Sequence, residues 1–127
     1  MKDHELVAAI RDNSDLDNAE QAETAAHATL SVLARRLTGG QPLNLGSQLP
    51  TGFAGDLAVV GEGERFSLEE FYGRVADAEG CGMVDARNHA RAVMAGVRSA
   101  VDRSEWDAMV AQLPEDYADL VFSGPVH

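Results

Sequence analysis

With a single cysteine, the chain can close no disulfide within itself, so its stability has to come from packing. Lysine is as scarce: Lys2 stands alone, and ten basic residues face 21 acidic ones for a formal net charge of −11. Nine acids and four bases fall in residues 1–63, twelve and six in residues 64–127, so the charge describes an acidic surface and no acidic tail. Such a field repels phosphate backbones and anionic lipid, and neither nucleic acid nor a membrane is an expected partner. No run approaches the roughly 18 consecutive apolar residues that a bilayer span needs. The first ten residues carry two acids and only a short apolar patch, which is not the pattern of a signal peptide. The expected location is the cytoplasm. Aromatic residues make up only 6% of the chain, so a core must rest on aliphatic side chains and alanine. The sequence also lacks a Ser/His/Asp arrangement, a phosphate-cradling glycine loop, a cysteine pair at metal-binding spacing and any sustained strand alternation.

What is present is repetition. Gln48-Leu49-Pro50 returns as Gln112-Leu113-Pro114, an offset of 64 residues, and each copy is followed three residues on by an aromatic side chain, Phe53 or Tyr117. By the same offset Ala22, Ala26, Leu30, Leu33 and Leu37 map onto Ala86, Ala90, Met94, Val97 and Val101. Both sets are spaced by three or four, the period of one helical face. The expectation is an all-α, compact bundle of about eight helices, one domain over residues 1–127. It would consist of two tandem four-helix repeats, about 3–60 and about 65–122, related by a pseudo-two-fold axis.

Local signals place the elements. Leu6, Val7 and Ile10 share a side of a first helix over 3–12, which Asp12-Asn13-Ser14-Asp15 breaks. Asp17, with Glu20 three positions on, has the spacing of a capping box for a long helix ending at Thr38-Gly39-Gly40. Pro42, Pro50 and Pro114 suit the starts of short helices. Val59 to Glu64, with two glycines and no helical period, is the expected joint between halves. Ser67 is an expected N-cap with Glu70 reaching back to it, and Phe66 and Phe71 are placed for a hydrophobic staple. That helix should stop at Gly80-Cys81-Gly82, and a second long helix should run from Val84 to Val101. Ser104 with Asp107 is a further expected cap, and the tail from Ser123 is expected to fray.

The two Gln-Leu-Pro copies and the Phe66-Ser67-Leu68-Glu69-Glu70-Phe71 opening resemble the bacterial and archaeal proteins grouped as domain of unknown function 2267. The resemblance runs from His4 to Phe122 and implies a helical fold, with no catalytic or binding residue to carry over. Thr51-Gly52 departs from the acidic pair usual there, and Gly80-Cys81-Gly82 from a turn that usually holds an aliphatic residue.

Four groups of residues could carry chemistry. Cys81 lies between glycines, but it takes the place of Leu16 in the other half, an apolar slot, and is expected to be a buried, inert thiol. Glu23 with His27, and Asp85 with His89, are carboxylate–histidine pairs at i, i+4; lacking four ligands, each is expected to be a weak exposed contact and no metal site. Arg87, Arg91 and Arg98 share a helix face and are expected to neutralise acidic neighbours before serving any anion. Trp106, Tyr117 and the phenylalanines are expected to be core. No catalytic, cofactor-binding or metal-ligating residue is therefore assigned, and no cofactor is expected. The functional expectation is a non-enzymatic protein acting through a protein partner or self-association. An apolar small-molecule pocket between the repeats is the alternative, and an enzyme using scattered carboxylates the remotest reading.

Overall fold

The computed structural model describes residues 1–59 and 61–122. Val60, part of the expected joint, and the tail from Ser123 lie outside the described residues. Helices α1 (Asp3–Asp12), α2 (Ala19–Arg36), α3 (Gln41–Ser47) and α4 (Thr51–Ala54), with a 3-10 turn at Gly55–Leu57, form the first half. The second holds α5 (Leu68–Glu79), α6 (Met83–Ala100), α7 (Arg103–Ala111), a 3-10 turn at Glu115–Tyr117 and α8 (Ala118–Val121). Among the described residues there is no strand, only an isolated bridge between Gly39 and Gly61. The fold is all-α, with the eight helices expected from the repeated pattern. The long helices begin at 19 and 83 and end at 36 and 100, each pair 64 apart.

Local chemistry sets the helix ends, with three corrections. The N-cap of α2 is Asn18, not Asp17: Asn18 Oδ1 accepts from the Gln21 amide at 2.9 Å, while the Asp17 amide donates to Gln21 Oε1. Ser67 does cap α5, its Oγ accepting from the Glu70 amide at 3.2 Å, and the staple is made, with the Phe66 and Phe71 rings 6.4 Å apart. The Glu70 carboxylate, expected to reach back, accepts instead from Arg74 Nε. Asp116 supplies a second acceptor at this terminus, taking the Leu68 amide at 3.0 Å. In the first half the arrangement is inverted, since Gly52 stands where Asp116 would map and its amide donates to Asp3 at 3.0 Å. At α7, Asp102 occupies the cap position and Ser104 lies inside the first turn.

One core cluster draws on both halves. Ala22, Ala26, Ala86 and Ala90 are fully buried, and α2 packs on α6. The first helix of each half packs on the other half's long helix, α1 on α6 and α5 on α2. Gly96 makes the α1–α6 crossing close, because a Cβ there would come within 3.0 Å of Ile10 Cγ1.

The Gln-Leu-Pro motif has a structural reason. Gln112 Oε1 accepts the Thr38 amide at 2.9 Å, and Gln48 Oε1 accepts the Asp102 amide at 2.6 Å. Both acceptors reach the first amide beyond the C-cap of the opposite half's long helix, and both donors and acceptors are 64 apart. Gln41 and Glu105, also 64 apart, hydrogen-bond to each other between α3 and α7. The leucines and aromatics after the glutamines turn inward: Leu49, Phe53 and Tyr117 are buried.

The described residues of the joint, 59 and 61–64, are exposed, but the segment is tied down. The Gly39 amide donates to the Gly61 carbonyl at 3.0 Å, and the Glu64 amide to the Arg35 carbonyl at 2.8 Å. Gly63, at φ +74°, lies so close that a Cβ would stand 2.7 Å from the Leu37 carbonyl oxygen.

Two outcomes follow from the crossed packing. A half of about 60 residues buries only about 60% of its unfolded surface, and here it would also lose the helix it packs on. Residues 1–61 and 62–127 expressed apart should be molten by amide-proton dispersion and should regain native helicity by circular dichroism when mixed. Two independently folded halves would refute this. Gln112→Ala and Gln48→Ala should each cost about 0.5–1.5 kcal/mol by urea denaturation, the usual net worth of a hydrogen bond.

Candidate functional site

An open cleft of about 890 Å³ separates the N-terminal parts of the two long helices. The α1–α2 turn and the start of α2 form one wall, with Asp12, Asp15 and Glu20; the end of α5 and the start of α6 form the other, with Glu79, Asp85, His89 and Arg91. Five carboxylates thus meet one arginine and one histidine. The lining is predominantly polar, so the space between the halves is not the apolar pocket of the alternative expectation. A second hollow beside the joint, touching Leu37, Pro42 and Val59, holds about 170 Å³ and is smaller than the roughly 300 Å³ at which ligand pockets begin.

The α5–α6 turn positions the wall of the cleft that carries Glu79 and His89. Gly80 ends α5 in the left-handed region at φ +72°, its amide and that of Cys81 both donating to the Ala76 carbonyl. This tight reversal sets the last residue of α5, Glu79, against His89 on the second turn of α6, with Cys81 between the helices. His89 Nδ1 lies 2.8 Å from Glu79 Oε1. The Glu79 side chain is only 6% exposed, and its other oxygen, Oε2, is buried without a hydrogen-bond partner. One donor atom from each of Glu79, Cys81 and His89 falls within 4.8 Å of the others.

These positions revise the sequence-based pairs. His89 is joined to Glu79 and not to Asp85, and His27 lies 2.5 Å from Asp56 Oδ2, not against Glu23, with its ring 4.8 Å from that of Phe53. Cys81 is half-buried against the core, as is Leu16, and so is less enclosed than expected. Burial first, then the carboxylates of Glu79 and Asp85, push its thiol pKa up. The arginine strip is divided. Arg87 makes two hydrogen bonds to Asp119, at 2.7 and 2.9 Å, Arg98 lies over the Trp106 ring at 5.7 Å, and Arg91 lines the cleft. Trp106, Tyr117, Phe53 and Phe71 are core, as expected, but Phe66 is only partly buried and Phe122 is exposed.

Two residues escaped the sequence reading. Glu79 carried a signal, because a glutamate immediately before a glycine stop is brought against the first turns of the next helix. Arg36 carried a weaker one, its place beside Leu33 and Leu37 on the apolar stripe. It is buried, with Nε donating to the Phe66 carbonyl at 3.1 Å and its guanidinium 5.2 Å from the Tyr117 ring centre. Tyr117 donates its hydroxyl to the same carbonyl at 2.7 Å.

Asp119 supplies the pH-sensitive contact. Hydrogen bonds from Arg87 hold its carboxyl below the usual carboxylate range, and the Tyr72 hydroxyl, donating at 2.7 Å, adds to this. Burial and the same carboxylate push the Tyr72 hydroxyl pKa far up. A carboxyl whose pKa is lower folded than unfolded stabilises above its unfolded value, about 3.9, and that contribution disappears as pH falls through the folded value. The side chains of Asp119 and Arg87 are 32% and 45% exposed, so screening keeps the effect modest. Asp119→Asn should lose about 1–2 kcal/mol at pH 7, with the gap to the native chain closing as the pH falls below the unfolded carboxyl value of about 3.9. Urea midpoints at several pH values would measure it.

Residues 3–120 match the model of the family described as Uncharacterized conserved protein (DUF2267). No curated protein matches the chain.

Proposed function

For a chain that belongs to the DUF2267 family, we propose a non-enzymatic role in which the cleft between the halves docks a basic segment of a protein partner. The observation that carries this reading is the cleft itself: about 890 Å³, with Asp12, Asp15, Glu20, Glu79 and Asp85 on its two walls. Low-dielectric walls with an excess of one sign of charge concentrate the field, and they draw in the opposite charge faster than a flat acidic surface would. Lysine or arginine side chains of an extended segment suit an open, polar trough better than an apolar ligand does. The net charge of −11 weighs against nucleic acid as the occupant. No helix among the described residues is long and apolar enough to cross a membrane. The reading keeps the cytoplasmic location expected from composition.

A tetralysine peptide titrated into the isotope-labelled chain tests the reading by localisation. Amide shifts should move along residues 12–24 and 79–92, and Asp15→Asn combined with Glu20→Gln should suppress them. Binding should fade as salt rises from 0.1 to 1 M, where the Debye length shrinks from about 10 to about 3 Å. Shifts scattered evenly over the acidic surface would remove the cleft's privileged place.

A further inference from the structure

We propose that Glu79 and His89 on the cleft wall, with Cys81 beside them at the α5–α6 turn, form a binding site for a borderline-soft divalent transition metal, zinc above all. The inference goes beyond partner docking and does not depend on it.

Three observations carry it. The first is chemical. A thiol, an imidazole and a carboxylate are the donor types that zinc takes, whereas calcium and magnesium want oxygen alone. The second is geometric. The three donor atoms lie within 4.8 Å of one another, and His89 Nδ1 and Glu79 Oε1 are already 2.8 Å apart. Zinc bonds of about 2.0–2.3 Å in a tetrahedral site put neighbouring donors about 3.2–3.8 Å apart. Small side-chain rotations of Glu79 and Cys81 therefore suffice, and the backbone of the α5–α6 turn can stay as it is. The third is electrostatic. Glu79 is a carboxylate with a side chain 94% buried (6% exposed) and an oxygen, Oε2, that has no hydrogen-bond partner. A buried, unsatisfied carboxylate oxygen is costly, and a cation beside it removes that cost. On binding, the Cys81 thiol gives its proton to solvent. The resulting thiolate and the Glu79 carboxylate then balance the two positive charges of the ion. Three protein donors leave a tetrahedral ion at least one position for water from the cleft.

Cobalt(II) is the spectroscopic probe. Titrated into the full chain under a non-chelating reductant, it should bind one ion per chain, with a thiolate-to-cobalt charge-transfer band and the intense visible bands of tetrahedral coordination. Zinc should displace it. Cys81→Ser should abolish the charge-transfer band. Loss of outer-shell partners alone lowers metal affinity about 10-fold to 100-fold, so Glu79→Gln and His89→Gln should each weaken binding at least about tenfold. Glu69→Gln, on the exposed surface outside the cleft, should leave the band intact. Cobalt bound without the charge-transfer band, or equally well by Glu79→Gln and His89→Gln, would overturn the site in favour of diffuse binding to the acidic surface. Should the variants misfold, the native chain still decides. Saturating zinc should slow iodoacetamide alkylation of Cys81 at least tenfold, and an unchanged rate refutes the proposal.

Discussion

Neither half of this protein can cover its own long helix. α2 is narrow and rich in alanine on the face that Ala22 and Ala26 bury, and α6 repeats that face with Ala86 and Ala90. Small side chains bury little area each, so they stabilise only when neighbouring backbones come close and bring larger groups with them. Part of that cover comes from the other half: Leu6 and Ile10 of α1 meet α6 at Gly96, and α5 lies on α2 as well as on α6. The remaining features follow from this exchange. The joint must run back along the end of α2, which is why Gly63 needs both a positive φ and no side chain. The glutamines must reach across because the ends they meet belong to the other half.

A polar cluster completes the apolar exchange. The Phe66 carbonyl accepts from Arg36 of the first half and Tyr117 of the second, while the Phe66 ring lies 3.9 Å from the Arg74 guanidinium carbon and the Tyr117 ring meets Phe71 edge-on at 5.9 Å. A buried arginine is expensive unless it is hydrogen-bonded and faced by π-systems, and Arg36 has both kinds of neighbour. Its counterpart 64 residues on is Ala100, so this device belongs to one half only. The two halves thus share their helix order and the glutamine clamps but differ at this contact.

Features that depend on near neighbours were legible in the sequence. The long helices, the glycine stop at Gly80, the Ser67 cap and the Phe66–Phe71 staple are all decided within a few residues. Where two local choices were close in energy, the reading slipped by one: Asp17 and Asn18 are both good caps, and only the reach of Asn18 to the Gln21 amide separates them. The candidate site was harder because its pairing is set by a turn. Spacing along a helix favours Asp85 as the partner of His89, but the reversal at Gly80 brings in Glu79 from the preceding helix. His27 likewise finds Asp56, 29 residues away, because the short helices fold back over α2. Periodicity tells which face is buried but not which neighbour covers it.

The glutamine clamps have a mechanical consequence. They fasten the halves where the long helices end, at Thr38 and Asp102, with Gln41 and Glu105 joined nearby. The cleft lies near the opposite ends of the same two helices, beyond Glu20 and Asp85. The fastening thus stands a helix length away from the acidic walls, about 1.5 Å for every residue in between. The buried alanines Ala22, Ala26, Ala86 and Ala90 lie toward the cleft end of the same two helices, so the pair is held by polar ties at one pole and by close apolar packing at the other.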